Sequence, residues 1–557
     1  MSMSAGKNQT QQAGEVTSGV CCLSGLECPT NVPTLVVLKD GKKIFLVSKQ
    51  MLDKYSRQLY TFGIAAMARM MNSRVLVSGL SGLGVEIAKN VILAGVKSFV
   101  IHDQENVHFS DLSSQFYCNE SHVKQKINRA EACVSQLREL NDLVPVEVLT
   151  TELTCTAKSL GSFTVVVLVN YHEDRLREFG DYCHQHGICM IATGIYGLYG
   201  YSFSDFGPAH VVSDVDGEAP KAGLVVSFEQ KDDDEEEIEK EEAKKEEAKK
   251  EEEKTTKESP KLLLQIIICS DTEKTGLSEG DHVSLSALGT SDLTFSITPV
   301  YKKVERRRGS TIRIVKVRDF SRFSISMEAT MLEKLSSSGS SGPGYWTQVK
   351  IPTTIVHKPF SLAIGHQHQK KSVPTSKDEE KKMEKKEEEN NDADDDDDDD
   401  DLPSLVNDPW SPGVHLHSLL RGIWNYQTKH DGALPEPYHE KQARELVESG
   451  WISTRNERIR PEENLLMTLA MGVRGQLNAM AAVFGGVVGQ EVIKACSGKY
   501  TPIGQWLHLE SCDCLPRRWS FTFGPPLSME DTRPKNCRYD GQIMTLGQRF
   551  QQKISQS

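Results

Sequence analysis

The sequence predicts an α/β fold: a doubly wound, mainly parallel sheet that carries an inserted small β-barrel and a helical bundle. Three observations carry this expectation. Between residues 74 and 193, apolar runs of strand length alternate with amphipathic helical stretches, the order that builds a parallel sheet covered on both faces. A glycine-rich turn joins the first strand to the first helix of that series. From about residue 214 the pattern changes to short strands separated by turns, which suits a barrel set into the α/β domain.

Residues 74–103, RVLVSGLSGLGVEIAKNVILAGVKSFVIHD, are the unit around which the chain is organised. Branched apolar residues over 74–78 suit a strand buried on both faces. Gly79, Gly82 and Gly84 form the turn, and Val85, Ala88, Val91 and Ile92 then share one helical face. Gly95 stands where a helix end wants left-handed backbone. The second strand, 98–103, ends in Asp103 about 20 residues past the glycines, where dinucleotide-binding folds place a ribose-binding acid. A glycine turn feeding a helix N-terminus is a natural phosphate cradle. The pattern is G-x-x-G-x-G, however, with Ser81 at the place of a second close-approach glycine. These residues therefore leave nucleotide binding and a purely structural packing turn both open.

The remaining elements follow in order. Residues 1–50 are expected to be a mostly disordered lead, with order beginning near 43–46. A helix over 64–71 leads into the first strand, with Arg57 just upstream as a helix-start cation. Val123, Ile127, Ala130, Cys133 and Leu137 recur at helical spacing and predict one amphipathic helix. Strands are expected over 144–149, 163–169 and 188–193, with a helix over 174–186. The barrel strands are placed at 223–228, 262–269, 281–285, 294–304 and 311–317, and 346–351 is expected to return the chain. Two charged tracts, within 231–259 and 376–401, have no apolar stripe to bury and read as solvated insertions. Helices over 414–427, 440–448 and 465–471 form the bundle, and 478–495 is a buried helix of small residues before a strand at 503–509.

Composition excludes some functions. A net charge of -13 argues against a nucleic-acid partner, since phosphate contacts need a basic face. No apolar run looks long enough to span a bilayer, and no secretory leader is evident. Thirteen unevenly spread cysteines suit a reducing, intracellular compartment better than a disulfide framework. Cys21 with Cys22 and Cys512 with Cys514 are the tight pairs, and neither has zinc-ligand spacing.

Four stretches together resemble the N-terminal half of a ubiquitin-activating enzyme: YSRQLY from Tyr55, GLSGLGVEIAKNVILAGV from Gly79, DLSSQF from Asp111 and GQEVIKACSGKYTPIGQWLHL from Gly489. The resemblance implies a Rossmann-like adenylation fold of the ThiF and MoeB type. It divides the chain into an inactive adenylation domain at 51–213 and 471–516, a first cysteine-half barrel at 214–358, and a helical bundle at 359–470. Residues 536–542, NCRYDGQ, resemble the opening of the family's second half, so 517–557 is expected to be a linker and the start of that half.

In the family two adenylation folds pair head to head, and the second holds ATP, magnesium and the C-terminus of ubiquitin. A later domain carries the thioester cysteine. Active members carry an N-L-N-R-Q-F-like segment that grips triphosphate. The matching positions here are Asp111, Leu112, Ser113, Ser114, Gln115 and Phe116, so the arginine has become Ser114 and the first asparagine the acid Asp111. An acid facing triphosphate would repel it. Lys126 remains at the place of a family lysine. The resemblance thus implies that Gly79, Gly82, Gly84, Asp103, Asp111, Ser114 and Lys126 are a vestigial nucleotide site, with no ATP or metal bound by this chain. It implies that Arg57 is a finger reaching in trans into the partner's ATP site. Expected partners are the active adenylation half and ubiquitin, with neither nucleic acid nor membrane; the expected location is cytoplasmic and nuclear. Cys155, in a Cys-Thr pair, has no family counterpart and reads as a packing thiol. Three other readings compete: the non-catalytic subunit of a two-chain enzyme for another ubiquitin-like modifier, which the barrel disfavours; a ubiquitin-binding decoy; and an NAD-linked oxidoreductase, suggested only by the glycine turn and Asp103 and lacking any catalytic-domain signature.

Overall fold

The computed structural model describes residues 34–37, 43–46, 49–230, 263–270, 277, 282–286, 294–305, 314–328, 345–364, 413–453, 462–515 and 527–556. The two charged tracts, the Cys21–Cys22 pair and most of the expected disordered lead lie outside them. Two compact units are present: Met1–Val212 with Thr354–Ser557, and Ser213–Thr353.

A seven-stranded sheet centres the first unit. Its order is Trp506–Glu510, Tyr199–Asp205, Cys189–Tyr196, Val165–Val169, Arg74–Ser78, Ser98–His102, Val146–Leu149. The last five run parallel, and the first two are antiparallel to their neighbours. Val165–Val169, VVVLV, lies in the middle and is buried throughout, as a strand covered on both faces requires. Tyr199–Asp205 was not anticipated. Its alternating aromatic and small residues look half-exposed in sequence, yet every one is buried. The reason is a close approach: a side chain at Gly200 would come within 2.4 Å of the Phe484 ring.

Phe484 belongs to helix Asn478–Ser497, which packs on helix Gly82–Ala94. A Cβ at Gly485 would meet Glu86 Cβ at 2.4 Å, and Asn90 Nδ2 donates to Gly485 O at 2.9 Å. By length and composition Asn478–Ser497 is apolar enough to cross a bilayer, which corrects the expectation that no run was. Its small-residue face is spent on the sheet and on Gly82–Ala94.

Three further corrections concern helices. The single helix expected through Val123 and Leu137 is two, Glu120–Lys124 and Arg129–Glu139. Between them Lys126 takes φ +53°, Val107 N–H bonds Ile127 O, and the Asn128 side chain caps the second helix. Arg57 lies well inside helix Lys49–Phe62 and is not a helix-start residue. The expected C-terminal linker instead contains helices Asp540–Leu546 and Gln548–Gln556.

The bundle helices Gly413–Lys429 and Glu440–Ser453 touch through glycines: added Cβ atoms at Gly422 and Gly450 would meet Leu446 O and Ser418 O at 2.4 and 2.1 Å. The bundle is tied to the sheet domain by Arg421, 1% exposed, whose Nη1 reaches Glu173 Oε1 at 2.8 Å. The second unit is a closed six-stranded barrel, with neighbours in the order Ala222–Gln230, Leu263–Ser270, Ile314–Glu328, Thr294–Glu305, His282–Ser286, Tyr345–Val349. The five expected barrel strands are found, each at its place within a few residues except that Ile314–Glu328 runs on well past 317, and the expected return stretch supplies the sixth, Tyr345–Val349.

A buried chain of neutral side chains joins sheet and bundle. Tyr199 OH donates to His508 Nδ1 at 2.9 Å, His508 Nε2 lies 3.3 Å from His417 Nδ1, and His417 Nε2 lies 3.3 Å from Ile364 O. Burial, with Arg421 nearby, pushes the His417 pKa down to about 4. The unfolded chain therefore binds the proton first as pH falls. Stability is expected to be full above about pH 6.5 and to fall by on the order of 3 kcal/mol between there and pH 4 from His417 alone. Urea unfolding across that range measures the loss, and His417→Gln should remove about that share of it while His357 and His508, also lowered by burial, keep theirs; an unchanged slope in the variant would contradict the assignment.

Candidate functional site

The glycine turn lies where the parallel strands end. Gly79 has φ +98°, and a Cβ there would meet Val169 O at 2.6 Å, so glycine is required on both counts. A Cβ at Gly84 would fall 1.8 Å from Gly79 O. Gly82 is different: what stands against it is Ser114, whose Oγ and Cβ lie 2.2 and 2.4 Å from the added Cβ. Ser114 is buried, and its hydroxyl has no hydrogen-bond partner among the described residues. The space beside Gly82 is thus occupied by the chain's own Ser114 side chain.

Asp103 is turned inward. Its Oδ2 accepts from Leu80 N–H at 2.5 Å and its Oδ1 from Glu105 N–H at 2.8 Å. Arg129 Nη1 lies 3.7 Å from the same Oδ1. Burial pushes the Asp103 carboxyl up, with Arg129 and the two amides pulling the other way. Asp111 caps the short turn Phe109–Ser113 by accepting from His108 N–H at 2.8 Å, and it accepts from Arg129 Nε at 2.8 Å. Asp111 thus faces Arg129. Burial works against the charge on Arg129, but Asp111 and Asp103 outweigh it and hold its pKa above the ordinary value. Gln115 Nε2 donates to Leu80 O at 3.1 Å and closes the turn from the far side.

Arg129 is the residue that sequence reasoning missed. The available signal was an N-cap asparagine followed by a cation, on the helix after the acid-ended strand. Gly79, Gly82, Gly84, Asp103, Asp111 and Ser114 do come together; Lys126 is exposed in the turn between two helices and makes no hydrogen bond to the glycine turn.

Arg57 is at the other end of the domain. Gln58 Nε2 lies 3.5 Å from Ala94 O, at the far end of the helix that the glycine turn begins, roughly 18 Å away at 1.5 Å per residue. Its helix is rooted by Tyr55, whose OH accepts from Asn141 Nδ2 at 2.7 Å and whose ring lies against Gly95. The Arg57 side chain is exposed and has no partner among the described residues, and Tyr60 one turn on is 94% exposed.

The described cysteines are not activated. Burial, then Glu178, pushes the Cys155 thiol up to about 12, and the others with a resolved shift also rise. Among the described residues no cluster could hold a metal ion.

The fold, with its glycine turn at the carboxyl ends of parallel strands, defines a protein of the adenylation class, and the chain belongs to the ThiF family, which matches residues 55–513. Ubiquitin-activating enzyme E1 1 of Triticum aestivum is 34% identical over 513 residues, covering 91% of this chain and 40% of that protein. Ubiquitin-like modifier-activating enzyme 1 is 32% identical in both Mus musculus and Homo sapiens, covering 96% and 94% of this chain. The chain thus spans about two fifths of the length of these relatives. Among solved structures, SeMet PaaA matches 29% of the chain and 51% of its own at 19% identity and a TM-score of 0.25, too slight a likeness to carry any argument.

Replacement of Arg129 by methionine should leave Asp103 and Asp111 buried without their cation and lower stability by about 3–5 kcal/mol. Adding Asp111→Asn to the same chain should restore part of it. Chemical denaturation of the two variants measures both effects, and a loss below 1 kcal/mol would show that Arg129 is not what holds the acids.

Proposed function

We propose that this chain is the non-catalytic adenylation half of a ubiquitin-activating system. Such a system joins the ubiquitin C-terminal carboxylate to AMP and passes it to a cysteine. The observation that carries the reading is Ser114, which fills the space over Gly82 where phosphate would lie. Inward-bonded Asp103 and paired Asp111 support the same conclusion: neither has a free oxygen pair to offer a ribose or a magnesium ion. ATP and magnesium belong to an active adenylation half, the partner of this one. Arg57 acts there, because its exposed guanidinium is far from this chain's own turn and its planar fork matches phosphate oxygens. The barrel contributes docking surface for ubiquitin, and the setting is cytoplasmic and nuclear.

The test is ubiquitin-dependent exchange of pyrophosphate into ATP. The chain alone should give none. Mixed with a separately made active adenylation half it should restore exchange, and Arg57→Ala should then reduce the rate about a thousandfold or more without changing the unfolding midpoint. Exchange by the chain alone would overturn the reading. Calorimetry adds a second check: magnesium-ATP titrated into the chain should give no saturable heat, and Ser114→Gly should not by itself create any.

A further inference from the structure

Three polar groups buried between the sheet and the helical bundle have no partner among the described residues: Arg421 Nη2, the Trp424 indole Nε1 and the Tyr201 hydroxyl. Their residues are 1%, 1% and 0% exposed. All three groups can donate, and a donor left unpaired at this depth is costly. Other polar groups of the same seam do find partners. Trp506 Nε1 donates to Ala363 O at 2.9 Å, and the histidine chain through His508 and His417 ends on Tyr199 OH at one side and Ile364 O at the other.

The three residues belong to one locality. Arg421 and Trp424 stand three residues apart on helix Gly413–Lys429, and so are neighbours on one face. The Tyr201 ring packs against the Trp424 ring at near right angles, centroids 5.8 Å apart. All three border the segment that leaves strand Val165–Val169. A Cβ at Gly194 would touch the Tyr201 ring at 2.9 Å and Asn170 Oδ1 at 3.0 Å. His172 Nε2 lies 3.1 Å from Trp424 O, and Arg421 Nη1 reaches Glu173 Oε1 at 2.8 Å. This is the carboxyl end of the central parallel strand, the edge at which open α/β sheets take ligands.

The locality also carries an excess of positive charge. Glu173 Oε1 takes Arg421 Nη1 at 2.8 Å and Arg177 Nη2 at 2.6 Å, so two guanidiniums share one carboxylate. Burial lowers the Arg421 pKa, and Glu173 recovers only part of the shift. Glu173 opens helix Glu173–Gln185, whose N-terminus adds a positive potential. We propose that Arg421 Nη2, Trp424 Nε1 and Tyr201 OH bind a small monovalent anion of the halide class at the seam of sheet and bundle. Its charge offsets the excess guanidinium, and a ligand that only accepts suits three groups that donate. The anion is small and inorganic because Tyr201, Trp424 and Phe360 close the site, each at most 1% exposed. Bound there, it fastens the bundle helix to the sheet beside the Arg421–Glu173 pair.

The experiment follows urea unfolding of the full chain by circular dichroism at constant ionic strength, while sodium chloride or sodium bromide replaces sodium gluconate. Gluconate is too large for a site closed by these rings. Either halide should raise the unfolding midpoint, the gain growing with the logarithm of its concentration. Trp424→Phe and Tyr201→Phe keep an aromatic ring and remove one donor each. Each should weaken the apparent halide affinity about tenfold, and together they should abolish the dependence. Arg421→Met should abolish it as well; the two aromatic variants decide the matter if that chain does not fold. A midpoint indifferent to halide would mean that water satisfies the three donors, and would overturn the proposal. So would a halide effect that persists in the Trp424→Phe, Tyr201→Phe double variant, since that is a general salt effect. The measurement uses neither ATP nor a partner half, so it stands apart from the exchange assay.

Discussion

A single buried guanidinium governs the region around the glycine turn. Arg129 sits between Asp103 and Asp111, and two carboxylates this deep need a cation between them to remain ionised. By holding both, it turns the strand-end acid inward, fixes the Phe109–Ser113 turn, and so sets Ser114 over Gly82. The glycine turn at the strand ends is thereby packed with protein atoms. The glycines are retained for packing: those at 79 and 84 hold backbone against backbone, and the one at 82 makes room for Ser114.

The same use of missing side chains recurs through the first unit. Gly485 and Gly489 bring the long apolar helix onto Gly82–Ala94, and Gly422 with Gly450 bring two bundle helices together. Gly541 does so for helix Asp540–Leu546. In each case the close approach buries apolar area on both partners at once, which is why a helix composed like a membrane span serves as an interior wall. Burial on this scale also selects neutral forms of titratable groups, as at His417 and the raised thiols.

Much of this was legible before any coordinates. The parallel strands announced themselves as unbroken branched runs, and Arg74–Ser78 falls where it was expected. The barrel strands showed as turn-separated runs and close on one another as a small barrel. The glycine turn and Gly95 as a left-handed cap were readable as local signals, whereas Asp111 and Ser114 were reached only through the family resemblance. Tyr199–Asp205 was not, because its small residues pack under a helix nearly 300 residues later in the chain, and periodicity carries no information about that partner. The break at Lys126 was hidden for a related reason. Val123 through Leu137 keep helical spacing, but a bond from Val107 to Ile127 O competes with the helix and wins.

By itself the sequence determined the fold class and the order of elements, since both depend on residue type and near-neighbour spacing. Only the tertiary structure decided that Arg129 holds both acids, that Ser114 fills the turn, and that helix Asp540–Leu546 is buried while Arg57 is exposed. Those outcomes turn on distances between residues remote in the chain. Close approach, charge pairing and exclusion are properties of surfaces brought together by folding, and no linear spacing encodes them.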